Sequence, residues 1–146
     1  FIPGLGIDPT TSGGGAHVGL TYYYYPQTAC TRANCKLEVG FVGSTDGGAS
    51  WSAPQTLAGP MSLDWLAATS LGSMVGDYIA TAFAAARPIG VFAIGLPLQG
   101  VLYDEAMYVP RVAPGLKRST TRRRTREPIR SRRSDHPLRH GPFRLP

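Results

Sequence analysis

A single run of eight residues, Ser44-Thr45-Asp46-Gly47-Gly48-Ala49-Ser50-Trp51, constrains the fold of this chain more than any other feature. It sets a serine, an aspartate, a glycine and a tryptophan at the spacing S-x-D-x-G-x-x-W, between two stretches of strand character. Each residue type has a physical task. At a tight turn the Asp46 carboxylate accepts hydrogen bonds from nearby backbone amides. Gly47 and Gly48 supply the positive φ that such a turn needs. Ser44 bonds across the mouth of the turn, and Trp51 returns toward the next strand to fill the space beneath. The pattern specifies a hairpin corner, not a reaction.

Alternation and turn residues place strands on both sides of that corner. Ile2 to Ile7 is a short apolar stretch ended by Asp8-Pro9, and a glycine-rich loop follows at Ser12 to Gly15. His17 to Tyr25 alternates, with Val18, Leu20, Tyr22 and Tyr24 on the side expected to pack. In Leu37 to Ser44 the residues Leu37, Val39 and Phe41 face together. A short edge strand is expected at Gln55 to Ala58. A connecting stretch over 59–73 carries Met61, Leu63, Trp65 and Leu66 as packing anchors. Three further strands are expected at Val75 to Phe83, Ile89 to Ile94 and Tyr103 to Val109, the middle one apolar on both faces. About seven strands in two successive groups fit a sandwich, a barrel or a propeller, and a repeat of roughly 40–50 residues favours the propeller.

Charge divides the chain. Residues 1–110 hold three bases (Arg32, Lys36, Arg87) against seven acids, a net of −4, whereas residues 111–146 hold twelve bases against Glu127 and Asp135, a net of +10; the sum is the +6 of the whole. The basic character therefore belongs to the tail and does not mark a nucleic-acid-binding domain. Such a segment buries too little apolar area to offset its ordering entropy, so 111–146 is expected to be disordered. Its Arg/Pro/Ser/His vocabulary also reads like GC-rich DNA translated out of frame, in which case it has no function. No apolar run reaches the roughly 18 residues of a membrane span. Phe1 opens without a leader, like the interior of a longer chain.

Cys30 and Cys35 flank the polar Thr31-Arg32-Ala33-Asn34 between two strands. Their spacing suits neither a redox C-x-x-C pair nor, without a second pair or a nearby histidine, a zinc site. A disulfide clamping the loop is the natural reading and implies an oxidising compartment; two free thiols in a reducing one is the alternative.

The corner motif, Ser52-Ala53-Pro54 after it, and Met74-Val75-Gly76-Asp77-Tyr78-Ile79 together resemble the sialidase-like β-propeller family with BNR/Asp-box repeats, in particular secreted bacterial members labelled exo-α-sialidase. The resemblance spans about residues 1–110. It implies an all-β fold, an incomplete propeller of about two four-stranded antiparallel blades. The first blade covers about 1–58, a linker 59–73, and a partial second blade about 74–110. In the family the Asp-boxes lie on rim turns away from the central pocket and occur in non-catalytic members too. Active members use a Tyr–Glu nucleophile pair, an Asp acid/base and three arginines gripping the substrate carboxylate. Here the propeller-like part offers only Arg32, inside the cysteine loop, and Arg87.

Candidate site residues are accordingly few. Asp77 and Tyr78 begin an expected strand, where blade strands line a central channel; Asp77 is either an acid or ligand-contacting carboxylate, or a partner of neighbouring backbone amides. Arg87 is the third weak catalytic candidate. Tyr22 to Tyr25 is either a sugar-stacking platform or packing. Asp104 and Glu105 point to opposite faces of a strand and cannot act on one substrate together. His17 is expected to be structural. Scattered single carboxylates give no metal constellation, and no cofactor is implied.

Three functions compete. The chain is a non-catalytic portion of a secreted propeller that binds glycans (sialylated or otherwise acidic) or proteins, or supports neighbouring blades. Alternatively it is part of an exo-α-sialidase whose main catalytic residues lie outside it. The third reading gives the function to the tail, as a salt-sensitive polyanion binder without sequence specificity. A propeller closes with about 4–8 blades, so two blades alone leave faces and edges open, and the isolated chain is expected to be unstable or to aggregate.

Overall fold

The period-2 alternation is realised as antiparallel sheet throughout. A computed structural model describes residues 1–116. Strands β1 (Gly4–Ile7), β2 (Val18–Tyr24), β3 (Lys36–Ser44) and β4 (Gln55–Ser62) form a meander in the order β1-β2-β3-β4. A small hairpin of β5 (Ala67–Thr69) and β6 (Gly72–Met74) follows, and β7 (Ala80–Ala84), β8 (Arg87–Gln99) and β9 (Leu102–Tyr108) form a second meander. The fold is all-β, and among the described residues no sheet closes on itself.

The first meander follows the sequence reading closely, with one extension. β4 runs to Ser62 instead of ending at Ala58. Pro60 has no N–H to give the ladder, and a register shift opposite Leu37 and Val39 takes it out of the pairing, which resumes at Met61. The expected linker therefore contains the end of β4, a 3-10 turn at Leu63–Trp65 and the β5–β6 hairpin. The strand expected from Val75 begins only at Ala80, because Gly76 turns the backbone at φ 124°. Val75 is buried there as a core residue of a bend. The second meander has the three strands expected of it, and β8 is longer than expected, with 13 residues.

The two meanders are separate sheets packed face to face. β1 lies against β7 and runs in the same direction, Gly4 beside Ile79 and Ala80 and Gly6 beside Thr81. This approach requires glycine: a Cβ on Gly4 would stand 2.6 Å from the Ile79 carbonyl oxygen and 2.8 Å from the Ala80 Cα. Between the sheets lies one apolar core of Tyr23, Leu37, Val39, Met61, Leu66, Val75, Phe92 and Ile94. Leu37, Val39 and Phe41 point into packing together, as their spacing predicts.

Buried polar groups fix the sheets in register. Thr81 Oγ1 donates to the Gly4 carbonyl at 2.6 Å, accepts from the Thr21 amide at 3.1 Å and lies 2.7 Å from Thr21 Oγ1. The Tyr23 hydroxyl donates to the Ala93 carbonyl and accepts from the Ala93 amide, both at 2.9 Å. β7 pairs with β8 only as far as Val91, so this hydroxyl stands where a neighbouring strand would otherwise serve Ala93.

These contacts correct the expected orientation of β2. Tyr23 is buried at 1% exposure, with Gly19 and Thr21 on the same face, while Tyr22 and Tyr24 lie half-buried on the other. Alternation decides which residues share a face, not which face meets a second sheet. Here small residues let β7 and β8 approach, so the Gly19-Thr21-Tyr23 face is the inner one.

The folded part also reaches past residue 110. Gln55 Nε2 donates to the Gly115 carbonyl at 2.8 Å, the Gly115 amide donates back to Gln55 Oε1 at 3.1 Å, and Leu116 lies against Gly43. Residues 111–116 carry a single charge and dock on the first sheet. The remainder of the basic tail, and the disorder expected of it, lie outside the described residues.

Candidate functional site

The sheet stack has two ends, and the sequence candidates are divided between them. At one end the chain turns at Ser44–Trp51, beside the start of β2. Ser44 Oγ donates to Asp46 Oδ1 at 2.8 Å and accepts from the Gly48 amide at 2.9 Å. Asp46 Oδ1 accepts the Ser50 amide at 2.8 Å, and Oδ2 accepts the Ser50 hydroxyl. Gly47 and Gly48 adopt φ 68° and 89°, and the Trp51 ring lies against Gly48. The Gly47 amide donates to the Ala16 carbonyl, which fastens the glycine-rich loop to the corner. The carboxylate of Asp46 thus braces the turn.

Next to this corner is a group that the sequence reading passed over. Asp8 is fully buried; its Oδ1 accepts the Thr10 amide at 3.0 Å and the Thr10 hydroxyl at 2.7 Å. Those two hydrogen bonds, aided by His17, hold its carboxyl below the ordinary value despite burial. His17 Nδ1 stands 3.6 Å from Asp8 Oδ2, and the His17 amide donates to Thr11 Oγ1. The Asp8-Pro9-Thr10 sequence is an Asx-turn signature, so this arrangement was legible in principle.

At the opposite end, Cys30 and Cys35 form a disulfide, with Cα atoms 5.0 Å apart. Arg32 in that loop pairs with Asp64 at 3.7 Å, both side chains mostly exposed. Asp77 and Tyr78 are also here, in the bend before β7, exposed to solvent; Tyr78 is 84% exposed. Arg87 begins β8, opposite Ala84 in the β7–β8 hairpin, and so belongs to the other end. The five residues of β7, at about 3.3 Å each, separate it from Asp77 and Tyr78 by roughly 16 Å. The structure therefore does not bring the three weak catalytic candidates together.

Several other candidates make contacts within the fold. Glu105 Oε1 accepts the Ala67 amide at 2.6 Å and ties β9 to β5, while its neighbour Asp104 lies on the other side of the strand. The Tyr24 hydroxyl contacts Glu38 and Thr56, and Tyr22 lies over Gly40. Burial raises the pKa of Tyr22, Tyr23 and Tyr24 alike, keeping their hydroxyls protonated. Among the described residues no group of three or more His, Cys, Asp or Glu side chains is placed to hold a metal ion. No helix among them is long and apolar enough to cross a membrane.

A second feature absent from the sequence reading is a cavity of about 130 Å³ at the disulfide end, lined by Phe1, Ile2, Tyr25, Leu37, Leu66, Ser73, Met74, Val75 and Gly76. No protein-family model matches the sequence, and no curated protein and no solved structure matches it either.

Proposed function

We propose that this chain is part of a secreted sialidase-like β-propeller and that this portion is non-catalytic, binding glycans or proteins or supporting neighbouring blades. The observation that carries the reading is the stacking of two meanders whose first strands, β1 and β7, run in the same direction in contact. That is the relation between innermost strands of adjacent blades. The Ser44–Trp51 corner joins the third and fourth strands of the first meander, at the opposite end from Asp77 and Tyr78. The disulfide accords with an extracellular setting. The same reading assigns the open faces of the stack to further blades of a longer parent protein.

The enzyme alternative needs three arginines converging on one carboxylate, and Arg32 and Arg87 stand at opposite ends of the stack. The test is to express the parent protein with its further blades. We expect binding to sialylated or other acidic glycans on an array and no release of fluorophore from a sialoside between pH 4 and 8. Turnover would replace the binding reading with the hydrolase. Polyanion binding by the basic tail is separated by salt titration against duplex DNA, comparing the chain with a version ended at Leu116.

A further inference from the structure

The cavity at the disulfide end has the features of a small-molecule site, and neither the blade reading nor the corner accounts for it. Leu37, Leu66 and Val75 form its buried apolar floor. The rings of Phe1 and Tyr25, 54% and 41% exposed with centroids 5.5 Å apart, stand at its opening. Ser73 also lines it, and the Ser73 Oγ is buried with no hydrogen-bond partner among the described residues. An unpaired buried hydroxyl is unfavourable, so such a group in an otherwise apolar cavity calls for a partner from outside. Size narrows the choice. An apolar protein cavity of about 150 Å³ takes up benzene, so the 130 Å³ here admits one six-membered ring and little more.

We propose that this cavity binds a single neutral aromatic ring bearing one hydroxyl, a phenol, with the ring on the Leu37-Leu66-Val75 floor and the hydroxyl bonded to Ser73. No charged side chain lines the cavity, and the Phe1 α-ammonium beside it is bonded to the Tyr23 carbonyl at 2.7 Å, so a neutral ligand suits the site best. The phenol is either a free small molecule or a tyrosine side chain presented by a peptide. The inference stands independently of the propeller reading.

The experiment is a methyl-labelled NMR titration of the full chain at low-micromolar protein, below the range of self-association, following the Leu66 and Val75 methyl groups, with phenol, toluene and N-acetyl-tyrosinamide at millimolar concentration. Phenol is expected to shift both methyls and to saturate. Toluene fills the same space without a hydroxyl. In the Ser73→Ala variant the phenol-to-toluene affinity ratio is expected to fall about 3- to 10-fold, the loss of one hydrogen bond. Met74→Trp, which narrows the cavity, is expected to weaken both ligands together; its methyl spectrum also shows whether the variant is folded. Saturable binding of N-acetyl-tyrosinamide assigns the ring to a peptide side chain, and binding of phenol alone assigns it to a free small molecule. Absence of saturable shifts with phenol, or an unchanged phenol-to-toluene ratio in Ser73→Ala, overturns the proposal.

Discussion

Replacing Tyr23 by phenylalanine removes one oxygen atom and orphans two backbone groups. The hydroxyl is the partner of both the amide and the carbonyl of Ala93, each at 2.9 Å, across the interface between the sheets. On that edge of β8 the pairing with β7 stops at Val91, so no strand is available to take over. Each buried group left without a partner costs about 1–3 kcal/mol, which puts Tyr23→Phe at about 2–4 kcal/mol once partial relaxation is allowed. That is a large share of the roughly 5–15 kcal/mol that holds a small domain together. The assay is urea unfolding followed by tryptophan fluorescence at sub-micromolar protein, with hydrogen exchange of the Ala93 amide as a local probe. The midpoint should fall at unchanged slope, and the Ala93 amide should lose protection. A loss below about 0.5 kcal/mol would refute the idea that this hydroxyl replaces a strand. The same residue carries an alkaline signature. Burial raises its pKa above the ordinary 10.0, with Glu105 adding to the shift and the Ala93 hydrogen bond opposing it. The folded state then binds the proton more tightly than the unfolded one, so this contribution is complete below pH 10 and declines as pH rises beyond it. Tyr23→Phe should flatten that part of the alkaline limb.

Other outcomes follow from features already described. Replacing both Cys30 and Cys35 by serine opens a loop of sequence separation 5 and should lower stability by about 2 kcal/mol on chain entropy, read as a shift in urea midpoint. Ala85 and Ala86 turn the β7–β8 hairpin at φ 48° and 60°, so Asn-Gly in their place should stabilise by about 1–2 kcal/mol, measured the same way. Because hydrogen bonds from Thr10 lower the pKa of Asp8, its contribution is present above the ordinary carboxylate value and lost as pH falls from there through the lowered folded value; Asp8→Asn should remove that part of the acid limb in a pH series of melts. The open faces, with Leu5 58%, Ile7 55% and Leu102 68% exposed, should make the isolated chain self-associate at tens of micromolar. A single monomeric boundary in sedimentation velocity would contradict this.

Where local chemistry decides the outcome, the fold could be read from the residues. The corner is one case: serine, aspartate and two glycines leave the backbone little choice. The Leu37-Val39-Phe41 face is another. Legibility failed where a second sheet makes the decision. Tyr22 and Tyr23 are chemically identical, and only the approach of β7 over Gly4 and Gly6 determines which ring is enclosed. The bend at Val75 to Ile79 imitates a strand because its apolar residues serve the core from an irregular backbone. Residues 111–116 adjoin the basic run but hold only Arg111 as a charge, and the uncharged Pro114, Gly115 and Leu116 belong to the folded part. The cavity is hidden in the sequence because its walls come from the residues before β1 and after β2, from β3, from Leu66, and from β6 with the bend after it, separated by up to 75 positions (Phe1 to Gly76).

The return of the chain at Gly115 and Leu116 has a mechanical consequence. The sheets are already linked through residues 63–79, which leave the disulfide end of the first and enter the second there. The Gln55–Gly115 pair adds a second fastening at the other end. A stack held at one end opens like a book along its free edge; one held at both must break a fastening before its pages part. Shortening the chain at Pro110 cuts that second strap, so a version lacking the basic run keeps its closure only if it retains Leu116.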